Sequence, residues 1–293
     1  QVDEAVKNYK TAIRLKPDFA DAYNNLGTAF LDLGQVEEAV KSYKTALKLK
    51  PDFFEVINNL GIALYKLGQL DDAIKLYEKV IVFNPNFADV YNNIGLVLID
   101  LGQVDEAVKN YKTAIRLKPD HLEAINNLGT AFSKLMQKDD AIKLYEKAIA
   151  IKPDYIDAYA NLAGVMMGLN RFDEALAIYE SKVIFNSNLD FILGELLYTK
   201  INLCIWDDLE SELIELTKKI NNNENIFSPF KFLGLIDNPE IQRKVAEIFV
   251  NEKYPQNYFL SKIDHQLKHN KIRIGYFSPD FRAMSIRQVD RGF

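Results

Sequence analysis

The amino-acid sequence predicts an all-α fold in which antiparallel helix pairs stack into a right-handed superhelix. The first observation is a fixed period, since Pro17, Pro51, Pro85, Pro119 and Pro153 stand 34 residues apart. The second is near-identity between copies, because QVDEAVKNYKTAIRLKPD occupies residues 1–18 and again 103–120. Self-similarity with such a period is typical of solenoids, in which each repeat buries its apolar face against its neighbours.

Within each repeat, small and large residues recur at fixed places. In the first complete repeat they are Tyr23, Leu26, Gly27, Phe30, Ala39, Tyr43, Ala46 and Pro51. Glycine in the middle of a helix costs about 1 kcal/mol relative to alanine. Gly27 therefore predicts that a neighbouring helix approaches closely at this point. The period of 34 and this pattern resemble the tetratricopeptide repeat.

The helix ends have signals of their own. Gly34, Gly68 and Gly102 are expected to end the first helices in a left-handed conformation. Acidic pairs such as Glu37–Glu38 should lie in the first turn of the second helix. The residue after each proline is predicted to cap the next helix, partnered by an acidic residue three positions on. The capping residues are Asp18, Asp52, Asn86, Asp120 and Asp154, and the acidic partners are Asp21, Glu55, Asp89, Glu123 and Asp157.

These signals predict four regions. Residues 1–18 form the second helix of a truncated repeat, and residues 19–189 form five repeats. Residues 190–269 form a terminal helix pair and a helical linker, and residues 270–293 begin another domain. The array becomes irregular in its last repeats, where Met136 and Asn170 replace the turn glycine and Ala163 replaces the mid-helix glycine.

One polar residue recurs in every first helix and is the candidate binding site. The asparagine row comprises Asn25, Asn59, Asn93, Asn127 and Asn161, each just before a leucine or isoleucine. First helices of such repeats are expected to line the concave face, where a primary amide can pair with one peptide unit of an extended chain. Two alternatives stay open: each asparagine bonds a neighbouring helix or loop, or duplication copied a neutral residue. A second asparagine precedes the row in four repeats, at Asn24, Asn58, Asn92 and Asn126.

Near residue 271 the pattern changes from helical spacing to near alternation. KIRIGYFS (271–278) is rich in β-branched and aromatic residues, and SPDF then interrupts it. This pattern predicts a strand followed by a loop. The expected fold class is thus an all-α solenoid, then a helical linker, then the first β-strand of an incomplete α/β domain.

Two later motifs resemble the O-linked N-acetylglucosamine transferases and their bacterial relatives, glycosyltransferase family 41. They are LCIWDDLESEL (203–213) and KIRIGYFSPDF (271–281), with Cys204, Trp206, Arg273, Gly275, Tyr276, Ser278, Asp280 and Phe281 at the matching positions. The resemblance implies that the asparagine row binds substrate polypeptide in the lumen of the superhelix. It also implies that a parent protein uses UDP-GlcNAc or a similar nucleotide sugar. Met284 stands where the family places an active-site histidine, so this chain by itself is expected not to catalyse transfer.

Composition and charge exclude several other functions. The net charge of −5 and the lack of a basic excess in either half argue against nucleic acid as a partner. A mean hydropathy of −0.15, with no long apolar run, argues against a membrane span. Cys204 is the single cysteine, which favours a reducing, cytoplasmic location.

Candidate chemistry is sparse, and no catalytic, cofactor-binding or metal-binding residue is predicted for the chain itself. His265 and His269 are spaced i, i+4 but have no evident third ligand, so a solvated helix is favoured. His121 follows Pro119–Asp120 and is interpreted as structural. Cys204 and Trp206 are expected to pack in the core of the terminal helix pair.

The sequence therefore predicts a scaffold whose partners are extended polypeptides or proteins. In the main interpretation it presents substrates to a protein O-glycosyltransferase domain. In the alternative it is a stand-alone interaction scaffold with no catalytic partner. The strand at 271–278 favours the first interpretation, since a pure scaffold would end in a polar capping helix.

Overall fold

The computed structural model describes residues 2–181, 192–224, 229–232 and 234–253. The chain divides into two compact units, residues 1–249 and residues 250–293. Of the second unit, the description covers only residues 250–253, which belong to the last helix.

Residues 2–181 form a leading helix followed by five helix pairs. The leading helix is α1 (Val2–Leu15). The first helices of the five repeats are α2 (Ala20–Asp32), α4 (Phe54–Lys66), α6 (Ala88–Asp100), α8 (Leu122–Lys134) and α10 (Ile156–Gly168). Their second helices are α3 (Val36–Leu49), α5 (Leu70–Phe83), α7 (Val104–Leu117), α9 (Lys138–Ile151) and α11 (Phe172–Tyr179). Each helix contacts the next one along the chain, which confirms the predicted helical-repeat solenoid.

A glycine–tyrosine contact joins the two helices within each of the first four repeats. A Cβ placed on Gly61 would lie 2.5 Å from Cε1 of Tyr77, closer than side chains can approach. Gly27 has the same relation to Tyr43, at 2.6 Å, and Gly129 to Tyr145, at 2.7 Å. The glycines let a large aromatic ring lie directly on the helix backbone, so the tyrosines are at most 2% exposed. Their favourable packing offsets the helix propensity lost at glycine.

Two of these tyrosines also form a hydrogen bond to the first helix. The Tyr43 hydroxyl lies 3.1 Å from Thr28 Oγ1, and the Tyr145 hydroxyl lies 3.2 Å from Thr130 Oγ1. In the second and third repeats, Ile62 and Leu96 replace the threonine.

Tyr43→Phe is expected to lower the free energy of unfolding by about 1 kcal/mol, because it removes a partly buried hydrogen bond. Tyr77→Phe, in a repeat without the threonine, is the matched control and should change stability much less. Urea denaturation followed by circular dichroism measures both values. Equal losses in the two variants would show that the threonine contact contributes nothing.

The turns inside the repeats follow the sequence signals. Gly34, Gly68 and Gly102 have φ angles of 71°, 73° and 76°, in the left-handed region that glycine favours. Met136 and Asn170 occupy the same turn position later in the array, and their φ angles are 62° and 59°. The turn geometry therefore persists where the glycine is lost, although a left-handed residue other than glycine costs about 1–2 kcal/mol.

The prediction that the residues after the prolines cap the first helices is wrong. The N-cap residues are the next ones along the chain, Phe19, Phe53, Phe87, His121 and Tyr155. Of these five side chains only His121 accepts a bond from its helix. Backbone contacts form the turn instead, as when Phe19 N–H donates to Lys16 O at 3.2 Å.

The described residues after the repeats form the helices α12 (Ile192–Asn202), α13 (Leu209–Asn221), α14 (Pro229–Phe232) and α15 (Pro239–Lys253). Their core contains Leu197, Leu216, Ile220, Phe232 and Val245. Leu196 of α12 also packs against the core of the last two repeats. The hydrophobic contacts of the solenoid thus continue into this helical segment.

The prediction of an α/β domain after the helices is wrong. The described residues form an all-helical repeat structure without a strand or sheet. The predicted strand at 271–278 lies outside the described residues. A strand must hydrogen-bond to a neighbouring strand, and the described residues contain none that could pair with it.

Candidate functional site

The asparagine row lies in the middle of the first helices. Asn25 is exposed, and Asn59, Asn93, Asn127 and Asn161 are half-buried. The two residues that follow Asn25, Leu26 and Gly27, are buried against the second helix of the repeat. The helix periodicity therefore leaves the amides at the border between the packed interface and the open surface.

A second set of asparagines lies directly beneath the row. We call Asn24, Asn58, Asn92 and Asn126 the supporting asparagines; they are 6–7% exposed. Each accepts a hydrogen bond from the amide nitrogen of the row asparagine in the following repeat. The bonds are Asn59 to Asn24 at 3.1 Å, Asn93 to Asn58 at 3.0 Å, Asn127 to Asn92 at 2.9 Å and Asn161 to Asn126 at 2.9 Å.

These bonds leave part of each row amide available. A primary amide has two N–H donors and a carbonyl oxygen with two lone pairs. In Asn59, Asn93, Asn127 and Asn161 one donor is used in the bond between repeats. Within the described part of the chain, their carbonyl oxygens accept no hydrogen bond. Four half-buried amides thus present an acceptor and a second donor at the same place in successive repeats.

The two ends of the row differ from its middle. Among the described residues, Asn25 forms no bond to another repeat, and its oxygen accepts only a long contact of 3.5 Å from the amide of Asn24. A shallow depression of about 320 Å³ lies beside it, lined by residues of α1 and α2 that include Tyr9, Thr28 and Asp32. At the other end, Ala160 occupies the position of a supporting asparagine.

His121, the N-cap residue of α8, contacts an acidic residue of the preceding repeat. Its ring is 4% exposed, and Nδ1 accepts from Ala124 N–H at 3.4 Å. Nε2 lies 3.0 Å from Oδ1 of Asp89 in the preceding repeat, and Nδ1 lies 3.1 Å from Oε2 of Glu123. The two carboxylates approach opposite nitrogens, so they do not converge on a metal position. These contacts agree with the structural role predicted for His121.

The acidic residues in the first turns of the first helices are all exposed: Asp21, Glu55, Asp89, Glu123 and Asp157. Asp89 and Glu123 contact His121. Among the described residues, Asp21, Glu55 and Asp157 form no ion pair or side-chain hydrogen bond. Their negative charges still interact favourably with the helix dipole, but they form no capping box.

The expected packing of Cys204 and Trp206 is wrong. Cys204 is exposed and has a φ angle of 57°, and Trp206 is 55% exposed. Both lie in the connection between α12 and α13, where Cys204 N–H bonds to Ile201 O to close the end of α12. Neither side chain belongs to the core that Leu197 and Leu216 form, because the connection places both at the surface.

The described residues contain no cluster of three or more metal-ligating side chains. None of the described helices is long and apolar enough to cross a bilayer. His265, His269 and Met284, and the motif at 271–281, lie outside the described residues. The cytoplasmic location and the predicted region boundaries remain predictions.

Comparison with solved structures places the fold among tetratricopeptide proteins. A tetratricopeptide protein from Parabacteroides merdae is 18% identical, with 85% of this chain and 93% of that chain covered at a TM-score of 0.60. PilF of Pseudomonas aeruginosa is 20% identical, with 68% and 90% covered at 0.60. Yeast Tom70 is 20% identical, with 72% and 46% covered at 0.58. These likenesses concern the fold alone, and no curated protein matches the chain.

The resemblance to O-linked N-acetylglucosamine transferases is not supported. Repeats with a period of 34 occur in many unrelated proteins, so asparagine-bearing copies are a weak family signal. Of the two more specific motifs, one places Cys204 and Trp206 on the surface and the other lies outside the described residues. The family model that matches, over residues 1–183, is that of the Cilia and flagella-associated protein 70 C-terminal domain. The chain belongs to this tetratricopeptide-repeat family.

Proposed function

We propose that the chain is a protein-interaction scaffold that holds extended polypeptide segments along the asparagine row. It corresponds to the stand-alone alternative of the sequence analysis, in which no catalytic domain is required. The observation that carries the proposal is the set of four row amides. Each is fixed by one bond and keeps a carbonyl oxygen available.

The chemistry of the row suits a polypeptide backbone. A peptide unit offers one N–H and one C=O, which complement the free oxygen and the second N–H of each row amide. Recognition of the backbone depends little on side chains, so binding should be weak and tolerant of sequence. Side chains around the row change from repeat to repeat, as at Thr28, Ile62 and Leu96, which gives each repeat a different secondary contact.

The triple variant Asn59→Ala, Asn93→Ala and Asn127→Ala tests this function. Three lost hydrogen bonds of about 0.5–1.5 kcal/mol each should weaken binding about tenfold or more. A suitable probe is a fluorescein-labelled peptide of repeating Ala-Thr-Lys, which is flexible and has no aromatic anchor. Fluorescence anisotropy gives the affinity, and circular dichroism checks that helical content is unchanged.

Two controls separate backbone recognition from other causes. Asn110→Ala removes an amide that, within the described residues, bonds only to the Glu106 carbonyl of its own helix, so the peptide should bind this variant as it binds the natural chain. A backbone N-methylated peptide lacks the N–H donors and should bind poorly to the natural chain. Undiminished binding of the unmodified peptide by the triple variant would refute the proposal.

A further inference from the structure

The supporting asparagines have an unusual distribution along the array. They occur in the first four repeats, each of which is followed by a repeat that contains a row asparagine. In the fifth repeat the residue at this position is Ala160. The next described helix after that repeat, α12, contains no row asparagine. The residue is thus asparagine where a following row amide exists, and alanine where none does.

The requirements of the fold do not explain these asparagines. Asparagine is a poor helix former, and burying an amide costs free energy unless it is hydrogen-bonded. Ala160 shows that the solenoid accepts a small apolar residue at the corresponding position of the fifth repeat. A buried asparagine in four repeats therefore calls for a role beyond packing.

All four bonds run in one direction. In every case the row amide donates through Nδ2, and the supporting asparagine of the preceding repeat accepts through Oδ1. The terminal torsion of an asparagine side chain is soft and roughly two-fold, so a free amide would present either its oxygen or its nitrogen. A fixed bond at Nδ2 selects one orientation and leaves the oxygen available.

We propose that Asn24, Asn58, Asn92 and Asn126 are positioning residues that set the orientation of the row amides in the next repeat. This inference takes only its ligand from the proposed function. The ligand is an extended polypeptide, whose N–H groups donate hydrogen bonds to the oriented row oxygens. Orientation before binding reduces the conformational entropy lost when the peptide is held. The supporting asparagines therefore raise affinity without touching the ligand.

Three single substitutions test the direction of the bond between Asn93 and Asn58. Asn58→Ala reproduces the residue found at position 160 and removes the acceptor. Asn58→Asp retains an acceptor oxygen, so Asn93 can still donate to it. Asn93→Asp removes the Nδ2 donor, so the contact can form again only with the Asn58 amide reversed and donating, and position 93 keeps no N–H for the peptide. Asn58→Asp should thus behave like the natural chain, whereas the other two should not.

Two readouts follow, the first for the two Asn58 variants and the second for all three variants. The first is the ¹H–¹⁵N signal of the Asn93 side chain, which should shift in Asn58→Ala and show a bonded N–H again in Asn58→Asp. The second is the affinity for the Ala-Thr-Lys peptide, which should fall about three- to tenfold in Asn58→Ala and Asn93→Asp, the value expected for one hydrogen bond. Asn110→Ala is again the control.

The two readouts distinguish failure of this inference from failure of the proposed function. An Asn93 side-chain signal that is the same in Asn58→Ala as in the natural chain would overturn the positioning role, whatever the peptide does. A natural chain that does not bind the peptide would overturn the proposed function, while the signal still decides whether the amide is held. Equal affinities of Asn58→Ala and Asn58→Asp would also contradict the inference.

Discussion

Replacement of Tyr111 with alanine is expected to lower the free energy of unfolding by about 3–5 kcal/mol. Tyr111 is 1% exposed, and its ring lies against Gly95 in the first helix of the same repeat. Removal of the ring leaves a cavity between α6 and α7 that the two helices cannot close, because each also packs on the neighbouring repeats.

The chain contains its own control for this substitution. Helix α1 has the same sequence as α7, VDEAVKNYKTAIRL, and Tyr9 corresponds to Tyr111. Tyr9 is only half-buried, so Tyr9→Ala should cost less, about 1–2 kcal/mol. Urea denaturation followed by circular dichroism and by tyrosine fluorescence measures both variants. A loss of the same size at the two positions would show that contacts between helices do not decide the contribution of the ring.

Alkaline pH should destabilise the solenoid steeply. Burial raises the pKa of Tyr77, Tyr111 and Tyr179 above the ordinary value of 10. Burial also raises the pKa of Tyr43 and Tyr145, although hydrogen bonds from Thr28 and Thr130 act in the opposite direction. All five hydroxyls therefore stay protonated in the folded chain at pH values where they ionise in the unfolded chain.

The sign of the effect follows from proton binding. Above about pH 10 the unfolded state binds fewer protons than the folded state, so the free energy of unfolding falls as pH rises. This stability is fully present below pH 10 and is lost progressively between 10 and the raised pKa values of the folded chain. Each buried tyrosine contributes up to about 1.4 kcal/mol per pH unit, and five contribute up to about 7 kcal/mol per pH unit.

The double variant Tyr77→Phe and Tyr111→Phe separates tyrosine ionisation from the loss of lysine charge in the same range. It removes two ionising groups, so the slope should become shallower by about 2.7 kcal/mol per pH unit. Urea midpoints at several pH values give the slope, and tyrosinate absorbance reports when the hydroxyls ionise. An unchanged slope in the double variant would attribute alkaline unfolding to the lysines.

Local signals in the sequence predicted the helical solenoid well. The 34-residue spacing of the prolines, the glycines of the turns and the acidic first turns each act within a few residues, and α2 to α11 follow from them. The capping prediction failed because the residue after each predicted cap, Phe19 in the first repeat, occupies the N-cap position. Backbone hydrogen bonds form the turn in place of side-chain caps. Several residues compete for that position, and their order in the sequence does not show which one occupies it.

Longer-range features were harder to predict. The alternation at 271–278 suggested a strand, but a strand depends on a partner that its own pattern does not specify. Trp206 was expected in the core on the basis of its residue type, whereas the connection between α12 and α13 places it at the surface. Strand pairing and the burial of a side chain both depend on contacts with residues that are distant in the sequence.

In the candidate site, too, local features were predictable and contacts between distant residues were not. Sequence reasoning located the asparagine row and left open whether its members bond to a neighbouring helix. The bond from Asn93 to Asn58 joins residues 35 positions apart, so it depends on how two repeats stack. The sequence shows the supporting asparagines as a second asparagine before the row, and their replacement by Ala160 in the fifth repeat is the signal that links each of them to a row asparagine in the following repeat.

The sequence by itself determined the period, the helix pairs and the close approach of a neighbouring helix at each mid-helix glycine, because these are set by spacing and residue size within one repeat. The tertiary structure decided how much each copy of a repeated residue contributes to stability. Identical residues in α1 and α7 have different burial, since Tyr111 lies between packed helices and Tyr9 does not. It also decided that the row amides are held from the preceding repeat, because a hydrogen bond between repeats exists only once their helices are stacked.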